Sequence, residues 1–113
     1  MTVRLTETGR DGLIYNGVTD WLYEEEILYT DSALWVSPGL NLFAYATFND
    51  SQVSEVVMNS MLGRGTPSHL RYPMAGGANP TVSLTVMELN KDGAAASNAN
   101  KWTVVPPQEV INR

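Results

Sequence analysis

The feature that most limits what this chain can fold into is a strict two-residue alternation at 81–86, Thr81-Val82-Ser83-Leu84-Thr85-Val86. It puts Val82, Leu84 and Val86 on one face. That is the signature of a half-buried strand, because helical apolar positions recur every three or four residues instead. Pro80 precedes the run, where the start of a strand tolerates a residue with no N–H. A second run, 40–48, has Leu40, Leu42, Ala44, Ala46 and Phe48 in phase. Its other face (Asn41, Phe43, Tyr45, Thr47) is mixed, so it reads as a central strand with its second face also partly covered. Ser37-Pro38-Gly39 and Asn49-Asp50-Ser51 frame it as turns.

The remaining strands are shorter. Val3 and Leu5 alternate in a first strand. Leu13-Ile14-Tyr15 leads into a tight turn at Asn16-Gly17, the strongest hairpin dipeptide. Ala33-Leu34-Trp35-Val36 follows the turn Thr30-Asp31-Ser32. Lys101-Trp102-Thr103-Val104-Val105 ends at Pro106-Pro107, neither of which can donate to a ladder. Residues 23–29 are rich in aromatic and β-branched side chains and read as a strand, with a helix as competitor because Glu favours helices. Residues 51–62 also read as a strand, against a helix capped by Gly63. Residues 63–80 form a Gly/Pro-rich loop, and 90–100, around Asp92-Gly93, form a mobile hairpin loop. The expected fold is therefore all-β, an antiparallel β-sandwich or jelly roll with two long Gly/Pro-rich loops. It would be one domain, 1–113, with an extended arm over 1–12.

Composition narrows the function classes. A 12.4 kDa chain of 113 residues folding alone would expose roughly 6,100 Å² of the roughly 18,000 Å² its unfolded form presents. With no cysteine there is no disulfide framework, no thiol nucleophile and no Cys-based zinc or iron–sulfur site. A net charge of −5 argues against a general nucleic-acid binder, which needs a basic footprint. No apolar run is long enough for a membrane span. The first eight residues lack the apolar core of a secretory signal, so none is expected.

The charge is segregated. Between Asp11 and Gly63 there is no Lys or Arg, and eight acids lie there: Asp11, Asp20, Glu24, Glu25, Glu26, Asp31, Asp50 and Glu55. Either the segments interleave and the charges mix, or an acidic face meets Arg-bearing loops on another copy or another protein. Five of the seven basic residues are Arg, the better interface cation. On this reading the contact surfaces are the arm with Arg4 and Arg10, the acidic edge Glu24, Glu25 and Glu26, and the 64–74 loop with Arg64, His69, Arg71, Tyr72 and the adaptable Met74.

Catalytic constellations are poor. His69 is the only histidine, Ser68 beside it is badly placed to serve as its nucleophile, and no G-x-S-x-G elbow is present. Glu24 and Glu26, if extended, would share a face about 7 Å apart. Paired carboxylates serve glycoside hydrolysis, but a solvated edge that discourages strand pairing explains them as well. No calcium loop, dinucleotide fingerprint or P-loop is present, so no cofactor or metal is expected. Trp21 and Tyr23 could form a sugar-stacking platform.

Val36-Ser37-Pro38-Gly39-Leu40-Asn41-Leu42-Phe43-Ala44, then Pro80-Thr81-Val82-Ser83-Leu84-Thr85-Val86-Met87-Glu88, Asp92-Gly93 and Lys101-Trp102-Thr103-Val104-Val105 resemble small β-sandwich proteins of tailed-phage virions. The resemblance implies a non-enzymatic capsid cement (decoration) protein located in the virion. It would bind the major capsid protein and its own copies, with a trimer favoured. The alternative is a carbohydrate- or receptor-binding module of a tail or fibre.

Overall fold

The computed structural model describes residues 4–59, 65–89 and 100–111. Among the described residues there are seven strands: β1 (Ile14–Asn16), β2 (Leu34–Val36), β3 (Leu42–Asn49), β4 (Glu55–Met58), β5 (Ser68–Arg71), β6 (Thr81–Glu88) and β7 (Lys101–Thr103). A π-helical turn, Tyr23–Leu28, lies between β1 and β2, and a short helix, α1 (Gln108–Ile111), follows β7. The all-β expectation holds in its coarse form: among the described residues, every strand pairing is antiparallel.

The two runs with the clearest alternation became the two longest strands. β3 and β6 pair along their whole length, from Leu42 opposite Glu88 to Asn49 opposite Thr81. β7 lies on the far side of β6. The other edge of β3 is taken by two strands in succession. β1 pairs with its C-terminal half and β2 with its N-terminal half. They behave as one edge strand that is cut between Gly17 and Ala33. Gly17 N–H donates to the Ala46 carbonyl at 2.8 Å, Ala46 N–H donates to the Ala33 carbonyl at 3.0 Å, and Ala33 N–H donates to the Gly17 carbonyl at 3.0 Å. Residues 17–33 therefore leave the sheet and return to it at one residue, Ala46. The Asn16-Gly17 hairpin expected from the sequence is not formed. Gly17, at φ 71°, instead bends the chain out of the edge.

The segment 23–28 is the main correction to the expected strands. Extended, it would have paired; instead it coils. Asp20 caps it, with Oδ1 accepting the Tyr23 N–H at 2.7 Å and its carbonyl accepting the Glu24 N–H at 2.9 Å. Three glutamates in the first turn complement the exposed N–H groups of a helix start, and Tyr29 at φ 55° ends the turn in the left-handed region. In 51–62, the strand covers Glu55–Met58, which pairs with β5 as a separate two-stranded ribbon. Leu5 lies in an irregular segment and forms no strand. Val3, Arg64 and the Asp92-Gly93 loop lie outside the described residues.

Each face of the main sheet is covered over half of its length. Ala46 and Phe48 pack with Ala33, Tyr15 and Tyr23, under the excursion. Phe43 and Tyr45, which point the other way, pack with Met87 and Leu89. The remaining half of the first face is open. There Trp35, Ala44, Val86 and Trp102 stand opposite one another in a row across four strands, and both tryptophans are about half exposed. The chain exposes 8624 Å², well above the roughly 6,100 Å² of a self-contained domain of its mass.

Gly17→Ala should destabilise the protein by about 1 kcal/mol or more in chemical denaturation, because a positive φ strains any side chain, although the new Cβ would meet Tyr45 only at ordinary van der Waals distance. Unchanged stability would show that the cut in the edge strand does not depend on this residue.

Candidate functional site

The excursion and the β4–β5 ribbon meet beside the end of β3. Trp21 and Tyr72 pack edge to face, with ring centroids 6.2 Å apart. The Tyr72 hydroxyl donates to Glu26 Oε1 at 3.4 Å. Burial, then the charges of Glu26 and Glu25, raise the Tyr72 phenol above its ordinary range. Glu25 and Glu26 are exposed and Glu24 is half-buried. Among the described residues, ion pairs form only on Glu55, from Arg71 at 2.8 Å and His69 at 3.3 Å. The turn 23–28 thus presents carboxylates that no described cation neutralises. Next to it, Asp11, Gly12, Leu13, Tyr15, Trp21, Asp50, Glu55, His69, Leu70 and Arg71 line a pocket of about 310 Å³.

Beneath the turn sit two acids with almost no solvent contact. Asp20 and Asp50 are each 2% exposed. Asp20 Oδ2 and Asp50 Oδ1 are buried with no donor of their own. Asp20 is the neighbouring carboxyl that acts on Asp50, and two carboxyls can bond to each other only when one of them is protonated. Burial, the hydrogen bond to Asp20 and the Asp20 charge raise Asp50 from 3.8 to about 7, with Arg71 pulling the other way. The proton therefore resides on Asp50 until near-neutral pH. Tyr15 is raised by burial first and then by Asp50, Asp11 and Asp20.

The sequence candidates scatter around this centre. Glu26, Trp21 and Tyr72 come together. Tyr23 does not form a platform: it packs on Phe48, with ring centroids 4.7 Å apart. Arg71 turns inward, donating to the Val53 carbonyl at 2.6 Å and to Glu55. His69 is exposed on β5, Met74 is exposed in the following turn, and Arg4 and Arg10 lie exposed in the N-terminal segment. Asp20 and Asp50 were missed as site residues. The signal for Asp20 was present, since an aspartate ahead of an acidic run is a helix start; Asp50 read as an ordinary turn residue.

The family model described as "Dipeptidyl peptidase IV (DPP IV) N-terminal region" matches residues 1–113. The chain belongs to the dipeptidyl peptidase IV N-terminal family. It is 43% identical to dipeptidyl peptidase 4 of Sus scrofa over 112 residues, 96% of this chain. It is 42% identical to venom dipeptidyl peptidase 4 of Apis mellifera over 117 residues, 97% of this chain. Against the inactive dipeptidyl peptidase 10 of Rattus norvegicus it is 42% identical over 90 residues, 78% of this chain. The crystal structure of Porphyromonas gingivalis dipeptidyl peptidase 4 superposes with a TM-score of 0.76 at 29% identity over 93% of this chain. The chain spans 14% of the length of that structure and 14% of the Sus scrofa and Apis mellifera proteins.

This overturns the resemblance to phage virion proteins, and with it the capsid cement function, the tail or fibre alternative and the non-enzymatic class. The residues behind that resemblance were turn and strand chemistry common to antiparallel sheets. A dipeptidyl peptidase IV N-terminal section uses the same chemistry. The capsid partner and the virion location drew on the same resemblance and have no other support.

The Asp pair gives a pH signature. Folded Asp50 holds its proton more tightly than unfolded Asp50. Between the two values the unfolded chain has released a proton that the folded one keeps, so stability falls as pH rises from about 4 to about 7 and then levels off. The melting temperature of Asp50→Asn should lack this component between about pH 4 and about pH 7. A profile parallel to wild type would remove the shared proton.

Proposed function

We propose that this chain is a section of the N-terminal region of a dipeptidyl peptidase, and that its Glu25 and Glu26 receive the free amino terminus of the peptide substrate. The family match over the whole chain carries the first part. The finer architecture follows from the open face. Counting β1 and β2 as one interrupted edge, the sheet is a four-stranded antiparallel blade with an apolar row left uncovered. Blades of this kind pack face to face in a β-propeller, and that arrangement covers Trp35 and Trp102 better than the sandwich expected from the sequence.

The second part rests on chemistry. The relatives are named for releasing dipeptidyl units, which requires counting two residues from a free α-amine. That amine is a cation below about pH 8. Carboxylates that pair with no cation among the described residues are suited to hold it, and charge-assisted hydrogen bonds are the strong ones. A π-helical turn gives the carboxylates their direction, since such turns recur at functional sites. Tyr72 and Trp21 fix one wall. The bond-breaking step belongs, in this reading, to residues outside 1–113. His69 is bonded only to Glu55 among the described residues, and no hydroxyl nucleophile is joined to it.

In the full-length protein, Glu25→Gln/Glu26→Gln should lower kcat/KM for dipeptidyl 4-nitroanilides by at least about tenfold, the worth of one hydrogen bond to a charged group. Most of the loss should appear in KM, and N-acetylated substrates should be poor for wild type. An unchanged KM sinks the amine site. The isolated 113-residue chain should bind a hydrophobic dye, and Trp35→Ser/Trp102→Ser should bind less. No dye binding by the isolated chain would show that the sheet face is already covered.

A further inference from the structure

We propose that Asp20 and Asp50 are positioning residues for the turn carrying Glu25 and Glu26, and that one proton shared between them clamps that turn to the sheet. This rests on reading the turn as the amine site. The two acids belong to different parts of the fold. Asp50 follows the last residue of β3, and its backbone is pinned twice: its N–H donates to the Leu13 carbonyl at 2.8 Å and its carbonyl accepts the Val53 N–H at 2.9 Å. Asp20 belongs to the excursion and organises the start of the turn through both its side chain and its carbonyl. Asp20 Oδ2 and Asp50 Oδ1 are both buried and have no donor among the described residues. With a proton on Asp50, its O–H donates to Asp20, and the excursion is tied to the rigid end of β3. Without it, two buried carboxylates repel across the same contact, and the cap on Tyr23 N–H loosens.

The surroundings favour keeping the proton at moderate pH. The groups that act on Asp50 are Asp20 from the excursion and Arg71 from β5, while Asp11, Tyr15, Glu55 and His69 line the same pocket. His69 faces Glu55 at 3.3 Å; Arg71 is the one permanent cation among these groups, and its guanidinium is already engaged by the Val53 carbonyl and Glu55. Burial raises Asp50, and the pocket that touches it offers water a route for proton exchange. The amine site is therefore held in its binding geometry below neutral pH and relaxes above it.

The test uses the full-length protein and dipeptidyl 4-nitroanilides, with KM and kcat followed from about pH 6 to about pH 8.5, across the range where Asp50 and the substrate amine titrate. Wild type should show a rise in KM of roughly three- to tenfold, the worth of one buried hydrogen bond, beyond that caused by deprotonation of the substrate amine. Asp50→Asn, whose amide donates to Asp20 at every pH, should keep the low-pH KM and lose the enzyme-side rise. Asp50→Ala should raise KM at all pH values with kcat little changed; if that variant does not fold, Asp50→Asn decides alone. A wild-type KM profile in Asp50→Asn overturns the positioning role, even if its melting profile flattens. Failure of Glu25→Gln/Glu26→Gln to alter KM overturns the amine site itself, and the two failures are read from different variants.

Discussion

One residue carries the geometry of the site. Ala46 gives its carbonyl to the outgoing end of the 17–33 excursion and its N–H to the returning end. A strand residue normally spends both groups on a single neighbouring strand. Here the two bonds go to residues sixteen positions apart in sequence, Gly17 and Ala33, so a long segment leaves the sheet without opening the ladder. The loop-closure cost of such an insertion grows only slowly with length. The sheet can therefore hold a functional excursion on a rigid base, and the turn bearing the acids is fixed at both ends to a fully paired central strand.

The excursion also builds its own support. Ala33 is fully buried and Tyr23 and Tyr15 pack over Phe48, so the half of the sheet face next to the site is closed by the site itself. The other half has no such cover. The contrast between the two halves explains why residues with similar apolar character fare so differently. Phe48 and Ala46 are core, while Trp35 and Trp102, in the same phase on paired strands, stay half exposed.

The sheet was legible from period-two alternation alone. β3 and β6 are strong patterns because both neighbours of each are strands, and β2 and β7 follow from short apolar runs between turn signals. The turn at 23–28 was not legible in the same way. Tyr23, Ile27 and Leu28 favour a strand and Glu24, Glu25 and Glu26 a helix, and the choice was made by Asp20, whose cap bonds act on only two N–H groups. Gly17 misled for a related reason. Its positive φ suits a hairpin, but the same φ also serves a departure from an edge, and only the pairing partner separates the two. Asp50 lay beyond sequence reasoning, because an aspartate in a turn is ordinary and its burial arises only when the excursion folds back over it.

The charge segregation takes on a different meaning once the acids are placed. Eight acids without an intervening cation read either as charges that mix when the segments interleave or as a face for another copy or another protein. The fold sorts them by environment. Glu55 takes Arg71 and His69, Asp20 and Asp50 are buried against each other, and Glu24, Glu25 and Glu26 are left on a turn without a described cation. Neutralising the first by pairing and one of the second by protonation concentrates the uncompensated charge on that turn. On the proposed reading, a cationic group arriving there would meet carboxylates that pair with no cation among the described residues, so its binding would break no described ion pair. This is why a carboxyl pair placed below the turn matters. On the proposed reading, two charged acids there would strain the support, whereas a shared proton would keep the negative field at the surface, where the substrate amine would meet it.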